Sequence, residues 1–218
     1  YGNWKVQSVK TGNNEYDIYT HKDANVYIYS DAKHTLFLFG HAYNPFRMKT
    51  DEKEILIDLS EALKSGIKSF WEAESELTGV FCVGYITEKG VVYSTDCAGM
   101  QLVYHGTADG KLFLTSHSKL AADLKGFHQS RYVQKLIRSR FWHYWGTWLP
   151  GDLSPFPELR RMQPNCAGVY AESSGEINVK RYYPFHEVKE TKTEEEYQET
   201  IKELGKIMGN TMKCIADK

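Results

Sequence analysis

The densest group of side chains that could bind a ligand lies between Phe141 and Trp148, where five of eight residues are aromatic. Aromatic rings combine a large apolar face with polar edges, so a cluster of them can form a flat platform on which sugar rings stack. The same rings carry much of the burial energy of cores and interfaces. We expect the Trp142–Trp148 cluster, with the adjoining Phe141, to pack in a core or an interface. Carbohydrate stacking stays open as the alternative.

Thiols and imidazoles are the next groups that could do chemistry. No C-x-x-C pair occurs among the four cysteines, which are Cys82, Cys97, Cys166 and Cys214. This pattern excludes a zinc ribbon or a redox dithiol and favours reduced thiols, with Cys82 and Cys166 buried in apolar, β-prone runs. None of the eight histidines has a second histidine three or four residues away. The sequence therefore predicts no metal site.

Carboxylates cluster at Asp51, Glu52 and Glu54, immediately before a segment of helical periodicity. Acidic side chains stabilise the positive end of the helix dipole, so we interpret this cluster as the start of a helix. Glycine-rich phosphate loops and the G-x-S-x-G nucleophile elbow are absent from the sequence. We expect no nucleotide site in this chain.

The composition is that of an ordinary globular chain. It has 218 residues, 27 basic and 28 acidic side chains, and a formal net charge of -1, so no overall positive field exists to attract nucleic acid. The mean hydropathy is -0.52, and no apolar run approaches the roughly 20 residues that a membrane-spanning helix needs. The first residues do not resemble a signal peptide. We expect a cytoplasmic protein without nucleic-acid or membrane partners.

Short β-prone runs and a few helical segments must position these groups. Strands are predicted at 26–29, 35–39, 79–86, 91–96, 101–105, 111–115, 167–172 and 176–182, and helices at 52–71, 118–124 and 132–140. The first helix is expected to break near Gly66 or to form two short helices. Residues 79–115 are interpreted as a four-stranded antiparallel meander. Many strands with helices grouped between them indicate an α+β architecture.

The composition changes after Pro184. A charged segment is followed by Thr193 and Glu196, the pattern of a capping box, so a helix is expected to begin there. Its apolar residues fall near one face and require a hydrophobic partner; they are Tyr197, Ile201, Leu204, Met208, Thr211 and Ile215. We interpret this helix as the threshold of another domain.

Three blocks of sequence follow one another between residues 36 and 187. The first is L-F-G-H-A-Y-N at 38–44, with the acidic helix start at Asp51 after it; the second runs from L-T-G-V-F at 77–81 to S-T-D-C-A-G-M-Q-L-V-Y at 94–104. The third is S-P-F-P-E-L-R-R-M-Q-P at 154–164, with Y-Y-P at 182–184. In order and spacing they resemble the class II glutamine amidotransferase domain of the asparagine synthetase family. The matching family patterns are N-G-E-I-Y-N then D-T-E, L-N-G-x-F then A-R-D-x-x-G-x-x-P-L-Y-Y, and T-x-F-x-x-I-x-x-L-x-P-G.

The resemblance implies a fold and a division into domains. The fold would be α+β, an N-terminal-nucleophile (Ntn) hydrolase-like four-layer αββα sandwich of two antiparallel sheets between helices. Residues 1–187 would form the glutaminase-like domain. Residues 188–218 would be a linker and the first helix of a truncated ATP-dependent synthetase domain.

Few of the family's catalytic residues have a matching residue in this sequence. Family glutaminases use an N-terminal cysteine as nucleophile, with its own α-amine as base. Tyr1 stands first here, so Tyr1-Gly2 is either a degenerate copy of the Cys-Gly start or the true start lies upstream. No arginine precedes Arg47 to clamp the substrate α-carboxylate, and Phe39 replaces the asparagine that helps to hold the oxyanion.

Two pocket positions survive in the resemblance. Gly40 would keep one backbone N–H of the oxyanion hole, and Asp51 would match the aspartate that receives the substrate's α-amino group, to within one or two residues. We therefore expect a degenerate glutamine pocket at Gly40 and Asp51, with no catalytic residue and no metal in this chain.

The function implied is that of a pseudo-glutaminase domain in an asparagine-synthetase-type, ATP-dependent amide-forming ligase, as in asparagine biosynthesis. ATP and Mg would bind the missing synthetase domain, and the nitrogen would come from ammonia or an amine. The partners would be the downstream synthetase domain of the same polypeptide and, as a second candidate, another copy of the chain in a homodimer. The competing hypothesis is a non-catalytic interaction or carbohydrate-binding module that uses the Trp142–Trp148 cluster.

Overall fold

The computed structural model describes residues 3–146, 148–187 and 190–218, with the side chain of Trp145 left out. Tyr1 and Gly2, which are either a degenerate copy of the family's Cys-Gly start or residues downstream of the true start, lie outside the described residues. The strands are β1 Trp4–Thr11, β2 Asn14–His21, β3 Val26–Ser30, β4 Thr35–Tyr43, β5 Thr78–Thr87, β6 Gly90–Thr95, β7 Tyr104–Ala108, β8 Lys111–Thr115, β9 Arg160–Arg161, β10 Cys166–Ala171 and β11 Glu176–Arg181. The helices are α1 Glu52–Ser65, α2 Ile67–Glu74, α3 Ser118–Lys125, α4 Arg131–Ile137, α5 Arg140–Trp145 and α6 Glu194–Ala216.

A six-stranded antiparallel sheet in the order β11-β10-β6-β5-β4-β3 forms the centre of the fold. Side chains alternate between its faces, so Leu36 and Leu38 lie on one face and Phe37 on the other. All three side chains are buried. The nearly continuous apolar run predicted at 79–86 is β5, and it is covered on both faces as its composition indicated.

Three apolar clusters separate four layers of secondary structure. The first joins α1 and α2 to one face of the large sheet through Leu36, Leu38, Ile55, Leu56, Leu59, Phe70, Phe81 and Val83. The second lies between the large sheet and a three-stranded sheet of order β8-β7-β9, with the β1–β2 hairpin beside it, and includes Val9, Phe37, Cys82, Val91, Tyr93, Leu112, Leu114 and Met162. The third joins the small sheet to α3 through Tyr104, Phe113, Ala121 and Ala122. This order of layers is an αββα sandwich of antiparallel sheets, and the predicted fold class is confirmed.

The predicted four-stranded meander over 79–115 is wrong. Strands β5 and β6 pair in the large sheet, whereas β7 and β8 pair in the small one. The loop between β6 and β7 turns the chain from one sheet to the other. It is built on the buried carboxylate of Asp96, which accepts hydrogen bonds from the backbone N–H groups of Ala98, Met100 and Gln101 at 3.2, 3.0 and 2.7 Å. Because the Asp96 side chain holds the loop in this way, the strand pairing of β6 ends there.

The helical predictions are mostly confirmed. Helices α1 and α2 meet at Gly66, whose φ of 127° ends the first helix. The helix expected at 132–140 is instead two, because Ser139 caps α5 by accepting the N–H of Trp142 at 3.4 Å. Thr193 caps the start of helix α6, because its hydroxyl accepts the N–H of Glu196 at 3.2 Å.

None of the described rings of the aromatic cluster is buried in the core, so the core part of that expectation is wrong, whereas packing in an interface stays a prediction. Phe141 is 55% exposed, Tyr144 83% and Trp148 70%. The cause is local, since α5 has only six residues and its main packing neighbour is α4, which has seven. The rings therefore present apolar surface to solvent.

A buried carboxyl connects three elements at the edge of the first cluster. Glu74 at the end of α2 accepts hydrogen bonds from the Ser94 hydroxyl of β6 at 3.0 Å and from the Tyr182 hydroxyl at 2.6 Å. The Tyr182 ring also stacks on Trp71 at 4.5 Å between centroids. Burial outweighs the two hydroxyl donors and raises the pKa of Glu74 from 4.5 to about 7. The native state therefore holds this carboxyl protonated below neutral pH.

We expect replacement of Glu74 to remove a pH-dependent part of the stability. Because the native pKa lies above the unfolded value, the contribution of Glu74 is fully present below pH 4.5 and is lost as pH rises through about 7. Each pKa unit corresponds to 1.36 kcal/mol. Between pH 4.5 and 8 the wild type should therefore lose about 3 kcal/mol of unfolding free energy that Glu74→Gln does not lose. Urea unfolding from pH 4.5 to 8 measures the difference. Glu72→Gln, at an exposed site on α2, is the control, and a pH-independent difference for Glu74→Gln would contradict the assignment.

Candidate functional site

The corner between the end of β4 and the start of α1 contains both predicted site residues. Gly40 lies in β4 opposite Phe81, with a φ of 99°. A Cβ atom at this position would lie 2.2 Å from the Val80 carbonyl oxygen, so the close strand pairing requires glycine. The Gly40 N–H donates to the Asn25 carbonyl oxygen at 3.0 Å and extends the β3–β4 ladder by one residue. The amide predicted for the oxyanion hole is thus already hydrogen-bonded.

Asp51 caps the N-terminus of α1. Its carboxylate accepts the N–H of Lys53 at 2.7 Å, and the residue is exposed. The interpretation of the acidic cluster as a helix start is confirmed. Its role in receiving a substrate amine stays a prediction.

The buried carboxylate of this corner belongs to Glu52, whose side chain is 4% exposed. It accepts a hydrogen bond from His41 Nδ1 at 3.2 Å, while Asn25 Nδ2 donates to His41 Nε2 at 2.7 Å. The amide donor makes Nε2 the acceptor, which puts the proton of the neutral ring on Nδ1, facing Glu52. The histidine therefore joins the strand end to the helix start.

A cation from the far end of the chain completes the Glu52 site. Lys218 follows α6, and its ammonium group contacts Glu52 Oε1, donates to the Thr50 carbonyl oxygen at 3.2 Å and lies 5.0 Å from the ring centroid of Tyr43. Burial raises the pKa of Glu52, but the hydrogen bonds from Lys218, its own backbone and His41 outweigh it, so the net pKa lies below the ordinary value. Glu52 is therefore an anion paired with an ammonium group.

Helix α6 is held against the same corner by a second contact. Asn210 Nδ2 donates to the Pro45 carbonyl oxygen at 2.9 Å, and Cys214 between the two anchors is fully buried. The C-terminal half of α6 therefore covers the turn that follows β4.

Phe39, which replaces the family's oxyanion asparagine, and the nearby Arg47 both make contacts within the protein. The Phe39 ring packs between the sheets at 5.3 Å from the Phe37 centroid. The Arg47 guanidinium lies 3.3 Å from Glu76 and 3.4 Å from Asp58. Phe39 has no side-chain donor for a ligand, and two of the three guanidinium nitrogens of Arg47 face carboxylates.

The thiols of the described residues are poorly suited to nucleophilic attack. Burial raises the pKa of Cys82 to about 12, and burial together with the Asp96 carboxylate raises the pKa of the exposed Cys97. A raised pKa keeps the thiol protonated at neutral pH, whereas the thiolate is the reactive form. Cys166 is buried as predicted.

One cavity beside the corner is too small for an amino acid. Its volume is about 10 Å³, and it is lined by Asn44, Arg47, Ile55, Asp58, Leu59, Ala73 and Leu77. This is about the space of one water molecule. A larger concavity of about 270 Å³ lies at α4, lined by Gln129, Gln134, Ile137 and Arg138.

The described residues, 3–146, 148–187 and 190–218, contain neither a metal-binding cluster nor a helix that could span a membrane. Within these ranges, no group of three or more His, Cys, Asp or Glu side chains is placed to hold a metal ion. None of the helices in the same part of the chain is both long and apolar enough to cross a bilayer.

Sequence reasoning located the corner but missed its main residues. His41 and Glu52 are separated by a turn, and the helix-spacing rule used for histidines does not apply across it. Lys218 lies 166 residues from Glu52, and nothing in the local pattern indicates their contact. The proximity of His41 to Gly40, and of Glu52 to Asp51, is the one local signal that was available.

We expect removal of the Glu52 charge to loosen the end of α6. Glu52→Gln preserves the size of the side chain but leaves the Lys218 ammonium without its anion, which should lower the free energy of unfolding by about 1–3 kcal/mol. Amide hydrogen exchange should increase over residues 207–218. Glu54→Gln, at an exposed site on the same helical turn, is the matched control and should change stability by less than about 0.5 kcal/mol. Equal effects of the two substitutions would contradict the ion pair.

Comparison with known proteins gave matches among solved structures only. No protein-family model and no curated protein matches the chain. It is similar to glutamine phosphoribosylpyrophosphate (PRPP) amidotransferase from B. subtilis complexed with ADP and GMP, at 12% identity and a TM-score of 0.43, over 73% of this chain and 31% of that one. It is also similar to the allosteric regulatory enzyme of purine biosynthesis, at 14% identity and a TM-score of 0.45, over 72% and 31%. The chain spans about a third of the length of each of these proteins.

Proposed function

We propose that this chain is a glutaminase-like domain that does not hydrolyse glutamine. The observation that carries the proposal is the β4–α1 corner of an αββα sandwich. There the Gly40 amide and the Glu52 carboxylate are both satisfied by the chain's own groups. The corner corresponds to the glutamine pocket in the resemblance to the asparagine synthetase family.

Hydrolysis of a glutamine amide requires a nucleophile, donors for the oxyanion and a clamp for the α-carboxylate. The raised pKa values of Cys82 and Cys97 oppose a thiolate. Phe39 has no donor, and loss of a single oxyanion donor costs about a hundredfold or more in rate. No arginine precedes Arg47 to act as the clamp, and Arg47 itself pairs with two carboxylates.

The Lys218 ammonium adds an argument against substrate binding. The resemblance places a carboxylate here to receive the α-amino group of glutamine, and Glu52 is one residue from the position assigned to that role. Its carboxylate already holds an ammonium group. A glutamine molecule would have to displace Lys218 to bind.

The larger function proposed is that of an asparagine-synthetase-type, ATP-dependent amide-forming ligase. Residues 1–187 would be the glutaminase-like domain, and 188–218 would lead into a synthetase domain that binds ATP and Mg. Ammonia or an amine, rather than glutamine, would supply the nitrogen. The support for this part is the order and spacing of the three sequence blocks.

Two assays test the proposal. The 218-residue chain should release no glutamate from glutamine above the buffer rate. The full product of the gene, given ATP, Mg and a panel of carboxylic acids that includes aspartate, should form an amide with nitrogen from ¹⁵N-ammonium and not from amide-labelled glutamine. Glutamate release by the chain would contradict the loss of hydrolysis, and failure to form any ATP-dependent amide would contradict the ligase.

The second candidate function is a non-catalytic interaction or carbohydrate-binding module. It is favoured by the exposure of Tyr144 and Trp148 and by the 270 Å³ concavity on the preceding helix. Gln129, Gln134 and Arg138 supply polar groups to that concavity, and sites for sugars combine such donors with apolar rings.

Substitution of two exposed rings separates this function from a structural role. Tyr144→Ala with Trp148→Ala should change the melting temperature by less than about 2 °C, because little buried surface is lost. Binding on a glycan array, or quenching of tryptophan fluorescence by oligosaccharides, should be lost in the double variant if the module binds sugars. A chain that binds no glycan before substitution would contradict the carbohydrate function. Phe70→Ala, at a fully buried ring, is the contrasting control and should cost about 3–5 kcal/mol.

A further inference from the structure

Helix α6 carries a narrow apolar stripe that the described part of the chain does not cover. Its six members are Tyr197, Ile201, Leu204, Met208, Met212 and Ile215, and each is between 46 and 66% exposed. Their spacing of three and four residues aligns them along one side of the helix. At 1.5 Å per residue the stripe is about 27 Å long.

A different side of α6 contacts the rest of the protein. The less exposed positions of its C-terminal half are Ile207, Asn210, Thr211 and Cys214, with the Asn210 and Lys218 anchors along the same side. At 3.6 residues per turn, this side is about 100° around the helix from the centre of the stripe. The stripe therefore remains free while α6 is docked.

We propose that the stripe is the interface of a homodimer, in which α6 packs antiparallel to α6 of a second copy around a twofold axis near Lys206. This inference goes beyond the proposed function and assigns the stripe to a second copy of the chain, not to the synthetase domain proposed to follow residue 218. A twofold interface uses the same surface of both copies, so each residue before the axis must suit one after it.

The stripe satisfies this requirement in its register. Around residue 206, Tyr197 of one copy faces Ile215 of the other, and Leu204 faces Met208. Ile201 comes within one residue of facing Met212. Every apolar side chain in the stripe thus meets another apolar side chain, and three such layers repeat on each side of the axis.

Charge along the helix favours the antiparallel arrangement. The first half, up to Gly205, carries one lysine, at position 202, and five glutamates, at positions 194, 195, 196, 199 and 203. The second half carries Lys206, Lys213 and Lys218 against Asp217. Antiparallel packing places the acidic half beside the basic half, whereas parallel packing would place like charges together.

A glycine next to the axis supports close approach of the helices. Gly205 lies about 60° around the helix from the centre of the stripe. A Cβ atom at this position would have no neighbour within 4 Å among the described residues. Glycine inside a helix destabilises it relative to alanine, and no contact with the described residues requires glycine here. A second helix crossing at the centre would make use of the space.

The mass of the chain in solution tests the dimer. Sedimentation velocity over a range of micromolar concentrations should give twice the chain mass of 25.1 kDa. Leu204→Glu with Met208→Glu, at exposed positions that tolerate charge in the monomer, should raise the dissociation constant by at least about 100-fold. Leu124→Glu, at a 73% exposed leucine of α3 outside the stripe, should leave the dimer intact. A single-chain mass for the wild type, or equal behaviour of the two variants, would overturn the proposal.

Spin labels test the orientation. A label at Glu195→Cys in a Cys97→Ser background reports alone, because Cys82, Cys166 and Cys214 are buried. In the antiparallel dimer the two labels should be separated by about 33 Å along the helices, from 11 residues on each side of the axis at 1.5 Å per residue. Labels at the same height, as a parallel pair would give, would overturn the antiparallel arrangement.

Discussion

The burial of both faces of the central strands is the constraint on which the rest of this structure depends. Strand β4 presents Leu36 and Leu38 to the helices and Phe37 to the second sheet, and all three are removed from water. A strand that is apolar on both sides needs a layer on each side, because apolar surface exposed on either face would cost free energy. The helices α1 and α2 form one layer and the small sheet the other. The second sheet is itself covered on its outer face by α3, which gives the four layers.

The same constraint places the corner at the end of β4. The β3–β4 ladder continues to Gly40, and β4 stays paired with β5 as far as Tyr43. Glu52 then enters the protein at the start of α1, and a buried carboxylate needs a compensating charge or hydrogen bonds. His41 and Lys218 supply both. The ion pair therefore also determines where the C-terminal half of α6 is held, and as a result which side of that helix stays exposed.

Much of this fold could be predicted from local patterns. The uninterrupted apolar run of β5, the turn residues of the β3–β4 and β10–β11 hairpins, and the break at Gly66 all act over a few residues. The allocation of β7 and β8 to a second sheet could not be predicted in this way, because it depends on the hydrogen bonds of the Asp96 side chain within its loop. The exposure of the Tyr144 and Trp148 rings depends on the short α4 and α5 helices having few neighbours, which composition does not reveal. At the corner, Gly40 and Asp51 were located by resemblance, but the buried anion is Glu52 and its cation comes from the opposite end of the chain.

The central claim is that the β4–α1 corner is closed by the chain's own groups, and the Gly40 amide reports on this most directly. In ¹⁵N-labelled protein, this amide should exchange slowly with solvent hydrogen, because it is bonded to the Asn25 carbonyl oxygen at 3.0 Å. Titration with glutamine to millimolar concentrations should leave the signals of Gly40, His41 and Glu52 in place. Fast exchange at Gly40, or a saturable shift of these three signals on addition of glutamine, would contradict the account and indicate an open glutamine pocket.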